Sequence, residues 1–374
     1  MRHITGELVL PEQSLDGALH LGTSALDSLG EDFIEGLGNA LTFNGKPHPK
    51  IINPQGRNYY MALPNSYGAF DSLQISGGGN FEIGIRSNSD VDDGIVTLEP
   101  DTGPRLITPP DSQAELFTGV TVLYEGGQLV DRKNPNPLGS YTHRTAEQKI
   151  ANTREAAVRL GGRVAVPYVL GRFEYDLADQ NGEPQTAILL LVPQLGRRFD
   201  ATLLHPLGVL RGVNRDAVTS ESIVDYYEEI IGPRLSAIGL AIGEIHKSGL
   251  NHNQLTPGNT AVIERDNMGL GYITDWDTMT EPSTDDRIMA QALDMTVAFR
   301  TNAAPTLALY REHAIDKVQA CDLIGLTVCQ LLGGYRTARD GSAFGSVDGT
   351  EMIDVVEGNI SPEKAVQTVA DWLT

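Results

Sequence analysis

Cysteine is nearly missing from this chain of 374 residues, which holds only Cys321 and Cys329. The two stand eight positions apart in a stretch with helical periodicity, which sets them on one face about 12 Å apart. That separation forbids a disulfide between them unless the helix unfolds. The shortage excludes a disulfide-stapled scaffold and points to a reducing, cytoplasmic setting. Long apolar runs are lacking as well. None reaches the length of a membrane span, and the opening Met1-Arg2-His3-Ile4-Thr5 does not have the pattern of a signal peptide. Positive charge is scarce: 28 Lys and Arg face 49 Asp and Glu, for a net charge of −21. Such a surface repels nucleic acid and anionic membranes and excludes both as general partners. A local basic pocket for a nucleotide stays compatible with it. The acidity would draw a cationic ligand or a basic protein, although solubility alone also explains it.

What is present suffices for two or three domains or one two-lobed unit, with 40% hydrophobic residues to build a sizeable core. The 40 Gly and 20 Pro are denser in the first 140 positions than after them. That part reads as strands and turns, and the last 160 residues as mostly helical. Residues 1–70 form no clear module. Within them Leu26, Leu29, Phe33, Ile34 and Leu37 recur at helical spacing between Ser24 and Leu41, and Asn44 to Ser66 reads as loop. Strands are predicted at Leu73-Gln74-Ile75 and Phe81-Glu82-Ile83-Gly84-Ile85 around Gly77-Gly78-Gly79, followed by an acidic turn at Asp90-Val91-Asp92-Asp93. A second hairpin runs from Val120 to Val130 and turns at Gly126-Gly127.

A helix is predicted from Thr145 to Leu160, stopped by Gly161-Gly162. Strands follow at Val164 to Leu170 and at Thr186 to Val192, the second so apolar that a central place is predicted for it. The helical stretch over 220–248 carries a break at Gly232-Pro233 and a stripe of Leu235, Ile238, Ile242 and Ile245.

The densest chemistry follows that stripe. After Gly249 comes His252-Asn253-Gln254-Leu255-Thr256-Pro257-Gly258-Asn259. A predicted hairpin, Thr260 to Ile263 and Gly271 to Ile273, then returns the chain to Thr274-Asp275-Trp276-Asp277, with Asp275 sixteen positions beyond Asn259. Side-chain carbonyls and carboxylates are the hard oxygen ligands that Mg²⁺ takes. Taken singly, such an Asn closes a turn and such an Asp begins one. The order helix, His, Pro-Gly-Asn, hairpin, Asp-Trp-Asp favours the chemical reading.

This block resembles the catalytic loop and metal-binding segment of the protein-kinase-like phosphotransferases, nearest the branch that includes the aminoglycoside and choline kinases. Those enzymes place a His, a catalytic Asp two residues later and a metal-binding Asn five further on. Here the His and Asn positions are kept by His252 and Asn259, and Gln254 stands at the Asp position. The resemblance implies that Asp275 is the main metal ligand and Asn259 the second, with ATP and Mg²⁺ as cofactors. It gives His252 the task of organising the loop backbone, with no proton transfer. It implies that Asp294 braces the loop through backbone N–H groups, the alternative being a surface Asp.

The resemblance also calls for a strand lysine that holds phosphates and a helix Glu that orients it. Lys133, with Arg132 as rival, and Glu155, with Glu147 as rival, are the candidates, against plain surface roles. Gly77-Gly78-Gly79 is a candidate phosphate loop, against a plain hairpin turn. An amide at position 254 accepts a hydrogen bond but takes no proton near pH 7. General-base assistance is typically worth about 10²–10⁴-fold, roughly 3–5 kcal/mol. Phosphoryl transfer, however, relies mainly on positioning and charge stabilisation. The departure therefore predicts weakened or altered chemistry, with Asp277 as a substitute carboxylate.

The expected architecture is α+β: a two-lobed protein-kinase-like fold with an N-terminal extension over 1–70, a sheet-rich N-lobe over 71–194 and a helical C-lobe over 195–374. The expected function is that of a kinase-like ATP- and Mg²⁺-binding protein with weakened or altered phosphotransferase activity on an unidentified small-molecule or protein acceptor. The alternatives are a catalytically inactive pseudokinase serving as a binding or scaffold protein, and an active small-molecule phosphotransferase that tolerates Gln254. No nucleic acid or membrane partner is expected, and the expected location is the cytoplasm.

Overall fold

The chain is an α+β protein. The structure is a computed structural model that describes residues 4–5, 51–52, 59–67, 70–76, 98–99, 103–104, 120–133, 141–160, 168–178, 184–194, 198–211, 219–265, 268–342 and 349–374. It divides into two units, one of residues 1–121 and 132–195 and the other of residues 122–131 and 196–374. The helix predicted over 24–41, the Gly77-Gly78-Gly79 turn with its second strand, and the acidic turn at 90–93 lie outside the described residues.

The first unit is built on an antiparallel sheet. Its strands include β1 (Ile4–Thr5), β2 (Ile51–Ile52), β3 (Tyr59–Tyr67) and β4 (Phe70–Ser76). A separate short pair, β5 (Leu98–Glu99) and β6 (Gly103–Pro104), belongs to the same unit. So do β9 (Tyr141–Thr142), helix α1 (His143–Leu160), β10 (Tyr168–Ala178) and β11 (Pro184–Gln194). The strand order is β1-β10-β11-β4-β3-β2, with β9 also paired to β11. The apolar strand predicted to be central is central, because β11 pairs with β10, β4 and β9.

One expectation is corrected here. Asn44 to Ser66 is not all loop, since β2 and most of β3 fall inside it. With β1, these two strands of residues 1–70 belong to the sheet. The reason lies in Pro64, which has no N–H to give a ladder. It falls within the register shift between Ala62 and Tyr67, where β3 already departs from regular pairing. A proline beside Asn65 reads as a loop when the partner strand is not known.

The hairpin β7 (Val120–Glu125) and β8 (Gln128–Lys133) forms as predicted, with Gly126 and Gly127 both at positive φ. It is not a pair of strands in the large sheet, however. β7 and β8 pair only with each other among the described strands, and residues 122–131 group with the helical unit.

The helical unit continues with α2 (Phe199–Leu203), α3 (His205–Arg211) and α4 (Ser220–Tyr226). The predicted break appears as a π-helical turn, Tyr227–Ile231, before α5 (Gly232–Lys247). Pro233 cannot donate to the preceding turn, and a widened turn absorbs the gap. Arg234 adds a side-chain bond to the Ile230 carbonyl at 2.9 Å. Leu235, Ile238, Ile242 and Ile245 are buried, as their spacing predicts. The hairpin β12 (Thr260–Arg265) and β13 (Met268–Ile273) follows. Helices α6 (Arg287–Arg311), α7 (Lys317–Asp340), α8 (Gly349–Glu357) and α9 (Pro362–Leu373) complete the unit.

Backbones approach closely inside this unit. A side chain at Gly239 or Gly243 of α5 would run into the α7 carbonyls of Leu331 or Tyr335, and one at Gly334 would meet the Ser236 carbonyl of α5. Gly271 of β13 likewise lies against the Ala237 carbonyl. Close approach of this kind admits only glycine. Cys321 and Cys329 are unbonded and half-buried. Among the described residues no helix is long and apolar enough to cross a membrane.

Candidate functional site

The loop that carries His252 to Asn259 begins where α5 ends. Gly249 turns the chain with φ 87°, and Asn251 exchanges both backbone hydrogen bonds with Thr280, each at 2.9 Å. Beyond that bridge the loop is fixed from α6 by one carboxylate. Asp294 is fully buried and accepts from the His252 amide at 2.8 Å and the Asn253 amide at 2.6 Å. This is the brace expected of it; the surface alternative is excluded by its burial. Charge-assisted bonds to backbone N–H groups are among the stronger ones in proteins.

His252 ties the two halves of the motif together. Its Nε2 lies 2.8 Å from the Thr274 carbonyl, and its Nδ1 lies 3.3 Å from the Gln254 amide. The amide can only donate and the carbonyl can only accept, so the ring proton is assigned to Nε2. The ring also meets buried Trp276 edge-on, with centroids 5.1 Å apart. Both nitrogens are used on backbone groups, as an organising role requires.

Asn253 has φ 67° and donates through Nδ2 to the Thr278 carbonyl at 2.6 Å. Asp275 is also left-handed, with φ 68° and ψ 60°. Positive φ is uncommon outside glycine, and such residues cluster at functional sites. Two of the three described non-glycine residues at positive φ fall in this motif, the third being His313.

The loop closes on Asn259. Its Nδ2 donates to the Gln254 carbonyl at 3.0 Å, and its own carbonyl accepts from the Thr274 amide at 2.9 Å. With the amide nitrogen so used, Oδ1 is the remaining acceptor of the side chain. Register carries Asp275 to the same end of the hairpin: Thr260 pairs with Ile273, and residue 259 bonds to residue 274. The backbones that bear Asn259 and Asp275 therefore run side by side at the base of β12 and β13. Asp277 sits half-buried in the short turn Trp276–Thr278. Gln254 is half-buried, with its backbone bonded at both ends.

Two hard oxygens fit part of a Mg²⁺ shell, whose remaining places this ion fills with water and phosphate oxygens. Among the described residues no group of three His, Cys, Asp or Glu side chains is assembled as a metal cage.

The other expected residues fall differently. Lys133 ends β8, a strand outside the large sheet, and its side chain lies outside the described residues. Glu155 is exposed on α1 and pairs with Arg159 one turn on, at 2.7 Å. The same helix turns Lys149 inward. Glu155 thus has the surface helix role weighed against the orienting one.

Two features escape the sequence. A buried chain of polar groups runs from Asp294 to His246 Nε2 at 3.2 Å, then from His246 Nδ1 to the Tyr335 hydroxyl at 3.2 Å. Arg339 donates to that hydroxyl at 2.7 Å and to Gln291 Oε1 at 2.9 Å, and Gln291 Nε2 donates to the His246 carbonyl at 3.0 Å. Burial raises the Tyr335 phenol above its ordinary value, which keeps its proton available for His246. The only sequence signal was a histidine one position beyond the apolar stripe. The second feature is Asp200 on α2: a Cβ placed on Gly258 would lie 3.7 Å from its Oδ2. A carboxylate therefore stands beside the Pro257–Asn259 turn, where the chain folds α2 over β12 through the Arg198–Ala261 bridge.

Compared with known proteins, the chain matches no family model and no curated protein, so its likeness to the kinase-like phosphotransferases stands on residues 252–294 themselves.

Proposed function

We propose that this chain is a kinase-like protein that binds ATP with Mg²⁺ and carries weakened or altered phosphotransferase-type activity toward a small-molecule or protein acceptor, in the cytoplasm. The observation that carries this reading is the use made of Asn259. Its amide nitrogen is bonded inward to the Gln254 carbonyl, which leaves Oδ1 for a hard cation, on a backbone bonded to the residue before Asp275. The buried brace from Asp294 supports the same reading, since preorganisation of the loop is what a positioning catalyst needs.

In this account Asn259 and Asp275 would hold the ion, which would supply charge neutralisation to the transferring phosphoryl group. Gln254 would orient the acceptor hydroxyl by hydrogen bonding, without taking its proton. Asp277 and Asp200 are the nearby carboxylates. A two-lobed kinase-like arrangement belongs to the same proposal.

Restoring the carboxylate tests it. Water serves as the acceptor, and Mg²⁺-dependent ATP hydrolysis is measured for the wild type and for Gln254→Asp. A rise of about a hundredfold or more is expected, the lower end of what base assistance brings. Equal rates, both at background, favour the second reading, a pseudokinase that binds without transfer. The absence of a carboxylate at position 254 gives that reading its support.

A further inference from the structure

Asp286 precedes α6 as its N-cap residue, yet its side chain does not cap that helix. It is used elsewhere. Oδ2 accepts from the Gly126 amide and Oδ1 from the Gly127 amide, both at 3.0 Å, across 160 and 159 positions of sequence. Ser283 steadies the carboxylate by donating to Oδ2 at 2.9 Å and accepting from the Asp286 amide at 3.2 Å. The Gly126 amide above all holds the Asp286 carboxyl below its ordinary value.

The two glycines are the central residues of a two-residue hairpin turn, at φ 59° and 82°. A Cβ at either would meet nothing within 4 Å, so glycine is required there for conformation and not for space. Successive amides in such a turn point into one concavity, which is a receptor for an oxyanion. Here the oxyanion is the protein's own.

We propose that Asp286 is a built-in competitor that occupies the anion nest of the β7–β8 turn and keeps external phosphate oxygens out of it. Its effect is also mechanical. Asp286 and Asp294 lie eight residues apart on the start of α6, about 12 Å along a helix axis. Each carboxylate grips two consecutive amides, one pair in the hairpin turn and the other in the His252 loop. Asp294 is fully buried and permanent; Asp286 is only half-buried and exchangeable. Releasing Asp286 frees the hairpin and opens its nest, while the loop stays braced. The proposal is independent of any metal at Asn259 and Asp275, and stands if that reading fails.

The test uses the full chain labelled with [¹⁵N]glycine, with inorganic pyrophosphate as the probe. The amides at the centre of a two-residue turn have no partner within the hairpin, so their protection reports the clasp alone. In the wild type the Gly126 and Gly127 amides are expected to exchange at least about tenfold more slowly than in Asp286→Ala, the factor that 1.4 kcal/mol corresponds to. Pyrophosphate is expected to shift both resonances in Asp286→Ala at concentrations that leave the wild type unmoved. Asp286→Asn, which keeps one acceptor oxygen, is expected to fall between the two and serves as the second variant. Free exchange in the wild type overturns the proposal. So does an equal response to pyrophosphate in wild type and variant, including no response in either.

Discussion

Gly334→Ala is expected to destabilise the helical unit by about 3 kcal/mol or more, at the upper end of what overpacking costs, while Gly333→Ala is expected to stabilise it by up to about 1 kcal/mol. The two positions are neighbours in α7 and the added methyl group is the same. Alanine is the better helix former at both. At Gly333 nothing lies within 4 Å of the new Cβ, so only the propensity gain remains. At Gly334 the Cβ would run into the Ser236 carbonyl and stand 2.8 Å from the Leu240 amide nitrogen, both backbone atoms of α5. Backbone in a packed helix cannot rotate out of the way as a flexible side chain can, so α5 and α7 must separate, and the loss of packing outweighs the propensity. The chain's two tryptophans, Trp276 and Trp372, both lie in the helical unit. Urea unfolding followed by their fluorescence reads that unit directly. Shifts of the same sign for the two variants would contradict the crossing described here.

The second large effect is expected at Asp294. Asp294→Ala leaves two buried amides and one imidazole nitrogen without their acceptor. Each buried group so abandoned costs about 1–3 kcal/mol. With three such groups, a loss of about 4 kcal/mol or more is expected by the same fluorescence assay. Asparagine is no conservative substitute, because one of the two oxygens that accept amide protons becomes a donor. Asp294→Asn is expected to lose about 2 kcal/mol or more. With the brace gone, the His252–Asn253 backbone is no longer held, so the proposed nucleotide binding is expected to be lost even under conditions where the unit stays folded. A loss below about 1 kcal/mol in both variants would contradict the bracing role.

The helical unit and its motif were legible because their signals are local. The stripe from Leu235 to Ile245 has helical spacing, Pro233 marks its own disturbance, and the hairpin between Asn259 and Asp275 follows from two short apolar runs and a turn. Asp294 was legible only through the resemblance, since nothing in its neighbourhood says that a carboxylate in an apolar helix has amides to receive. The rest depends on contacts between distant positions. The value of Gly334 depends on Ser236, the seat of the β7–β8 turn on Asp286, and the pairing of β3 on β4. Lys133 follows a hairpin whose local signal is clear, but which strands pair is a property of partners that a single strand does not name. Glu155 was chosen for its helix, and the rotation of that helix turned Lys149 inward instead.

The central claim is that the side chains of Asn259 and Asp275 hold a divalent ion on a nucleoside triphosphate. Calorimetric titration of the intact protein with a non-hydrolysable ATP analogue, with and without Mg²⁺, tests it most directly when Asp275→Asn is run beside the wild type. The wild type is expected to bind the analogue at least about tenfold more tightly with Mg²⁺ than without, a difference of roughly 1.4 kcal/mol or more, and Asp275→Asn is expected to lose that dependence. No binding by the wild type, or binding that neither Mg²⁺ nor Asp275→Asn alters, would contradict it.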